Sequence, residues 1–181
     1  MSAARRALWS AVAVLLVSGC AHDPGAMSQA ERSASDEQEL YAAIVRGTIL
    51  KVGGENGNET LHCLRVCVRG ECGAPSDEFL MSFVHDRFAV SGPDACKWRG
   101  DEVVPARDSL LTISSGRFET RVVPPRALFL EVEKVRFVSK DRVSADTSVT
   151  HGNVGANGLT LTLERIDGHW RVVKAEDTWK S

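Results

Sequence analysis

The stretch Leu159-Thr-Leu-Thr-Leu-Glu-Arg-Ile166, followed by Asp167-Gly168 and then His169-Trp-Arg-Val-Val-Lys-Ala-Glu-Asp-Thr-Trp179, decides the fold. Leu159, Leu161 and Leu163 alternate with Thr160, Thr162 and Glu164, so a strand here turns one face to a core and the other to water. Asp-Gly between two β-rich runs is a hairpin signal, because both residue types tolerate the positive φ that a tight turn demands. The same alternation recurs just upstream. Val143, Ala145 and Val149 are spaced by Ser144, Asp146 and Ser148, and an apolar run from Leu128 to Val138 precedes them across the turn Ser139-Lys140-Asp141. With a glycine-rich link between Thr150 and Leu159, the C-terminal third reads as an antiparallel meander.

Ahead of the meander the pattern changes to helical spacing. Ser35-Asp36-Glu37-Gln38 has the form of a capping box, and Leu40, Tyr41, Ile44, Val45 and Ile49 form an apolar stripe, which predicts a helix over about 36–50 that ends at Gly53-Gly54. Thr60 to Val68 predicts a strand. Pro75-Ser76-Asp77 caps a short second helix from Ser76 to Val84, with Phe79, Leu80, Phe83 and Val84 on its apolar side. From Ser91 to Val123 the sequence predicts loops around Pro93, Gly100 and Pro105 and a strand at Phe118 to Val122. Together these elements give an α+β class, with an N-terminal helix and a short second helix packed on a curved antiparallel sheet.

The chain has 181 residues, 43% of them hydrophobic and 25% charged, which suits one domain with its own core. Its first residues depart from that profile. Arg5 and Arg6 precede an apolar run from Ala7 to Val17, shorter than the roughly 20 residues a spanning helix requires, and Ser18, Gly19 and Cys20 follow. This three-part layout predicts a signal peptide at 1–19. The quartet Val17-Ser18-Gly19-Cys20 resembles a bacterial lipobox, which implies cleavage before Cys20 and lipidation of its thiol. The polar, small-residue stretch 20–35 then reads as a tether reaching roughly 20 Å, and 36–181 as a single domain. Ala21, in place of an Asp after the cysteine, resembles the pattern of lipoproteins sorted to the outer membrane. The leader carries no other charge than Arg5 and Arg6, so the remainder holds 20 basic and 24 acidic residues, a poor match to nucleic acid.

Four further cysteines, Cys63, Cys67, Cys72 and Cys96, make an even set outside the cytoplasm, and two disulfides are expected. A Cys63 to Cys67 bond would cross four residues of a strand, about 13 Å, beyond the reach of a disulfide. The preferred pairs are Cys67 with Cys72, around Gly70, and Cys63 with Cys96. Their spacing lacks the paired C-x-x-C knuckles of a zinc site, so no metal is expected.

The common catalytic motifs are absent: there is no Gly-rich phosphate loop, His-Glu-x-x-His helix or Gly-x-Ser-x-Gly elbow. No cofactor is expected. His85 beside Asp86 could be a base with its carboxylate, although adjacent residues on a helix do not face each other. His151, among Gly152 and Gly155, could line a pocket mouth. Trp170 and Trp179 could touch an apolar ligand, but aromatic residues on a sheet more often serve the core. Asn58-Glu59-Thr60 matches a glycosylation acceptor that a bacterial chain would not use.

The run from Leu159 to Val173, ending in Asp177-Thr178-Trp179, resembles the closing hairpin of nuclear-transport-factor-two-like (SnoaL-like, cystatin-like) domains. The resemblance implies a helix layer over a curved sheet, a cone that in different relatives holds a small apolar ligand, a catalytic pair or nothing. Its catalytic residues have no counterparts here. The expected function is therefore that of an envelope lipoprotein, held to the membrane through Cys20, which binds a protein partner or serves a structural role without catalysis. The alternatives are a carrier of a small apolar ligand in the cone, or a hydrolase or isomerase using His85 or His151.

Overall fold

A computed structural model describes residues 34–53, 60–68, 71–106, 111–115, 118–122, 126–152 and 155–180. The expected leader, Cys20 and the tether up to residue 33 lie outside the described residues, as does Asn58. The elements run α1 (Ala34–Gly53), β1 (Thr60–Val68), β2 (Glu71–Gly73), α2 (Asp77–Met81), β3 (Ala89–Ser91), a 3-10 turn (Pro93–Ala95), β4 (Cys96–Arg99) and β5 (Glu102–Pro105). They continue with β6 (Leu111–Ser115), β7 (Phe118–Val122), β8 (Arg126–Ser139), β9 (Arg142–Gly152), β10 (Gly155–Ile166) and β11 (His169–Lys180). The fold is α+β, a long helix on an open, curved and mostly antiparallel sheet that closes in a C-terminal meander.

The main sheet has the order β11-β10-β9-β8-β1-β2, with β3 beside β1 and the β4–β5 hairpin joined to β9; β6 and β7 pair apart from it. The meander follows from alternation and turn chemistry. Asp167 and Gly168 both take positive φ, 53° and 82°, which closes β10 onto β11 in the two-residue turn that the Asp-Gly pair predicts. Register shifts at Val132/Lys134, Phe137/Ser139, Gly158/Leu159 and Thr162/Leu163 insert extra residues that bend the long strands.

Strands β9 and β10 turn their odd-numbered residues toward α1, whereas β8 and β11 turn even-numbered ones, Leu128 to Val132 and Trp170. Val143, Ala145, Val149, Leu161 and Leu163 join Leu128, Leu130 and Val132 of β8 in one core with Leu40, Ile44, Val45 and Ile49 of α1. A fully buried aliphatic side chain of this kind contributes about 1.5 to 3 kcal/mol. Gly47 brings the helix down onto the sheet: a Cβ there would stand 2.5 Å from Val172 Cγ2 and 3.6 Å from Leu161 Cδ1. One turn on, the buried Thr48 hydroxyl bonds to the Ile44 carbonyl and to Thr147 Oγ1 of β9, at 2.9 and 3.1 Å, satisfying both hydroxyls inside the core.

Several expectations need correction. Helix α1 begins at Ala34, so Ser35 sits within its first turn and not at its cap. The acids of that turn serve tertiary contacts: Asp36 accepts from Trp170 Nε1 at 3.2 Å and pairs with Arg165, while Glu39 meets His169 Nδ1 at 2.8 Å. The second helix stops at Met81, although Ser76 caps it as expected, accepting from Phe79 N at 3.2 Å. Most of the supposed link between Thr150 and Leu159 is strand. Its glycines answer to close approaches: at Gly152 a side chain would strike the Asp101 carbonyl, and at Gly158 the Trp179 indole. The region around Pro93 to Pro105, expected as loops, contains the β4–β5 hairpin. Finally, β1 runs parallel to both β8 and β3, so the sheet is not wholly antiparallel. A long crossover through α2 and the small strands makes that parallel pairing feasible.

The expected disulfides are present. Cys67 and Cys72 face each other across the β1–β2 hairpin, and Cys63 of β1 joins Cys96 at the start of β4. The second bond belongs to a separate apolar cluster on the other side of the sheet, with Leu61, Val103, Ala127 and Phe129.

Two outcomes follow for stability, both readable by urea unfolding. Gly47→Val should destabilise the fold by about 1 to 3 kcal/mol, because the stiff Val172 side chain beneath it cannot move aside freely. Replacing Cys63 and Cys96 together by Ala should cost about 2 to 4 kcal/mol, and the reduced wild-type protein should lose at least as much.

Candidate functional site

The structure separates the residues that the sequence proposed for a site. His85 is exposed in the turn after α2. Its neighbour Asp86 turns to Arg46 of α1, with Nε to Oδ2 at 2.9 Å, while the same guanidinium donates to the Ser82 carbonyl at 2.8 Å. That carboxylate docks α2 onto α1. Trp170 is buried in the core, its N–H held by Asp36, with the Arg165 guanidinium 5.1 Å from its ring centre and Phe137 edge-on at 6.4 Å. His151 is exposed at the far end of β9, whereas Trp170 pairs with Arg165 at the opposite end of the meander. Partial shielding of the His151 ring lowers its pKa.

The concave side, where a cone would hold a ligand, is occupied by the helix stripe. Ile44 and Val45 are fully buried against the sheet, as are Val143, Ala145, Leu161 and Leu163. Among the described residues no three His, Cys, Asp or Glu side chains come together to hold a metal ion.

One buried group was missed by sequence reasoning. His62 of β1 is 2% exposed, on the same face as Leu64, with its Nδ1 3.0 Å from the Ala89 carbonyl of β3 and its ring 6.1 Å from that of Phe88. A carbonyl only accepts, so Nδ1 carries the proton and donates. Burial is the main reason that its pKa falls to about 4, and the neighbouring His151 pushes it the same way. A histidine between Leu61 and Cys63 in an apolar strand was the available signal.

The opposite, convex face of the sheet carries the Phe129 cluster at one end and polar side chains beside it. Register aligns one row of side chains across five strands: Trp179 of β11, Gly158 of β10, Ser148 of β9, Glu131 of β8 and Arg65 of β1. Arg65 Nη1 lies 3.3 Å from Glu131 Oε1, and its guanidinium stands 5.1 Å from the centre of the Phe129 ring. Trp98, reaching over from the β4–β5 hairpin, packs on that same Phe129 at 6.0 Å. Beside the row, Asp146 accepts from Thr160 Oγ1 at 2.9 Å and pairs with Arg136 Nη2 at 2.9 Å. Two guanidiniums on this face, Arg65 and Arg136, are each matched to a carboxylate. Such an arrangement suits binding. The four described cysteines beyond it are all in disulfides.

His62 sets a pH dependence with a definite sign. The folded protein keeps it neutral down to about pH 4, whereas the unfolded chain takes up the proton near pH 6.5. Stability is therefore full above pH 6.5 and is lost as pH falls from 6.5 to 4, by about 3 kcal/mol in all. Urea midpoints measured across that window should fall for the wild type and fall less steeply for His62→Gln, whose amide can still donate to Ala89.

No protein-family model matches the chain, and neither a curated protein nor a solved structure does.

Proposed function

We propose that this protein is an envelope lipoprotein, anchored in the outer membrane through lipid on Cys20, and that its α+β domain is a non-catalytic binding module. The observation that carries the binding reading is the contrast between the two faces of the sheet. On the concave face the chain's own helix stripe packs against the sheet. On the convex face Trp98, against Phe129, and Trp179, over Gly158, remain 47% and 46% exposed. Exposed aromatic area of this size on a sheet is expensive to keep in water and characteristic of binding surfaces.

The address rests on the leader and on cysteine usage. Of five cysteines, four are consumed in two disulfides, which suits an oxidising compartment, and Cys20 is left to carry the lipid. Two or more acyl chains, at about 0.8 kcal/mol per buried methylene, make such an anchor durable.

Expression of the full chain in a Gram-negative host tests the address. The wild-type protein should sediment with outer-membrane vesicles and incorporate labelled palmitate, while Cys20→Ser should do neither and should keep its leader or appear in the soluble fraction. A wild-type protein found soluble and unlabelled would refute the anchoring.

A further inference from the structure

We propose that β11 pairs edge to edge with β11 of a second copy of this chain, antiparallel and centred on Ala175, so that the main sheet continues from one copy into the other. The inference goes beyond the reading of the domain as a binding module and does not depend on the lipid anchor.

The free edge comes first. β11 is the outermost strand of the main sheet, and among the described residues only β10 pairs with it. It runs for 12 residues, whereas the opposite edge ends in the three-residue β2. A long outer strand leaves a row of main-chain N–H and C=O groups over and is a template for another strand. Val173 and Trp179, both on β11, each remain 46% exposed.

The side chains select the partner. Residues opposite each other in an antiparallel pair share a face. Register with Glu164, Thr162, Thr160 and Gly158 therefore puts Arg171, Lys174, Glu176 and Trp179 together on the convex side. Arg171 to Lys174 and Glu176 to Trp179 are each three residues apart, because the register shifts leave Val173 and Thr178 as extra residues. The four convex side chains thus stand one and four places on either side of Ala175. Rotated about Ala175 onto a second copy, Lys174 meets Glu176 of that copy and Arg171 meets its Trp179, and each pair occurs twice. Opposite charges across a strand pair attract, and a guanidinium beside an indole is a favourable contact. Lys174 and Glu176 already pair within one chain at 2.9 Å, and their side chains are 61% and 56% exposed, so both are accessible across the edge.

Bulges commonly protect an edge, since an extra residue throws an incoming strand out of register. Between two copies of β11 they cancel. The interval from Arg171 to Lys174 lies opposite the interval from Trp179 to Glu176, and each holds one extra residue. The charges reject the neighbouring alignments. A slip of two residues sets Lys174 against Lys174 of the second copy, or Glu176 against its Glu176, and a slip of one sets convex side chains opposite concave ones. An arbitrary strand meets the bulges and the lysine unmatched, whereas a second copy matches both. The two-fold axis crosses the sheet, so both copies of α1 lie on one side of it, which is compatible with two anchors in one membrane.

The test is disulfide cross-linking of the full-length protein in host membranes, read on non-reducing gels. Ala175→Cys places a thiol on the axis, where opposed Cα atoms stand about 4.5 to 5.5 Å apart, within reach of a disulfide. Under mild oxidation this variant should give a covalent homodimer, at least tenfold above the wild-type background. Thr160→Cys, one strand inside the edge, should give none. Adding Lys174→Glu to Ala175→Cys should lower the dimer at least fivefold, and adding Glu176→Lys as well should restore it. Absence of the Ala175→Cys dimer, equal cross-linking through Thr160→Cys, or a dimer undiminished by Lys174→Glu overturns the inference. A covalent product with a different envelope protein overturns the second copy as occupant. Sedimentation equilibrium of the wild-type full chain in density-matched detergent reads the same association without a new thiol, whether or not Ala175→Cys folds. A two-chain mass at micromolar concentration is expected, and a one-chain mass overturns the inference while leaving the binding module and its anchor untouched.

Discussion

The contact between α1 and the concave face of the sheet is the interaction on which the other elements depend. Gly47 lets the helix descend until Ile44, Val45 and Ile49 are excluded from water by Leu161, Leu163 and the residues of β8 and β9. The helix is then pinned at both ends by polar contacts that the close approach makes possible. At its start Asp36 and Glu39 engage Arg165, Trp170 and His169 beside the Asp167-Gly168 turn. Farther along, Arg46 holds the segment that follows α2, through the Asp86 carboxylate and the Ser82 carbonyl. Those ion pairs are partly exposed and contribute little alone, so the apolar stripe is the main stabilising term and the charges set direction.

The convex side is organised by covalent means. A three-residue strand and two four-residue strands cannot bury enough apolar surface to hold themselves in place. The two disulfides compensate, one closing the β1–β2 hairpin and the other fastening β4 to β1 over a small cluster around Phe129. This division fixes the hairpin that carries Trp98.

What could be read in the sequence was whatever is local. The alternation in Leu159 to Leu163 and in Val143 to Val149, the Asp-Gly turn, the Ser76 cap and the reach of a disulfide each depend on neighbours in the chain, and each is present in the structure. Partners distant in sequence were not legible. Nothing in Thr60 to Val68 marks it as a parallel neighbour of β8, and nothing in the glycines between Thr150 and Leu159 announces that an indole and a carbonyl lie against them. The same limit hid the convex row from Trp179 to Arg65, which exists only through four strand registers. His62 escaped for a related reason, since β3 and Phe88 reach it from a segment to which the sequence assigned no element.

The parallel placement of β1 beside β8 also bears on the order in which the chain can assemble. Strands β8 to β11 are joined by short turns and need only local encounters, whereas Thr60 must find Arg126. Closing so long a loop costs conformational entropy before any contact offsets it, and the Cys63–Cys96 bond shortens the path by the 33 residues it spans. Local pairing is the faster process, so the meander is favoured to form as a template to which β1 and α1 then add. The segment synthesised first thus waits for the last strands before its apolar stripe is covered, and until then it offers an exposed surface to other unfinished chains.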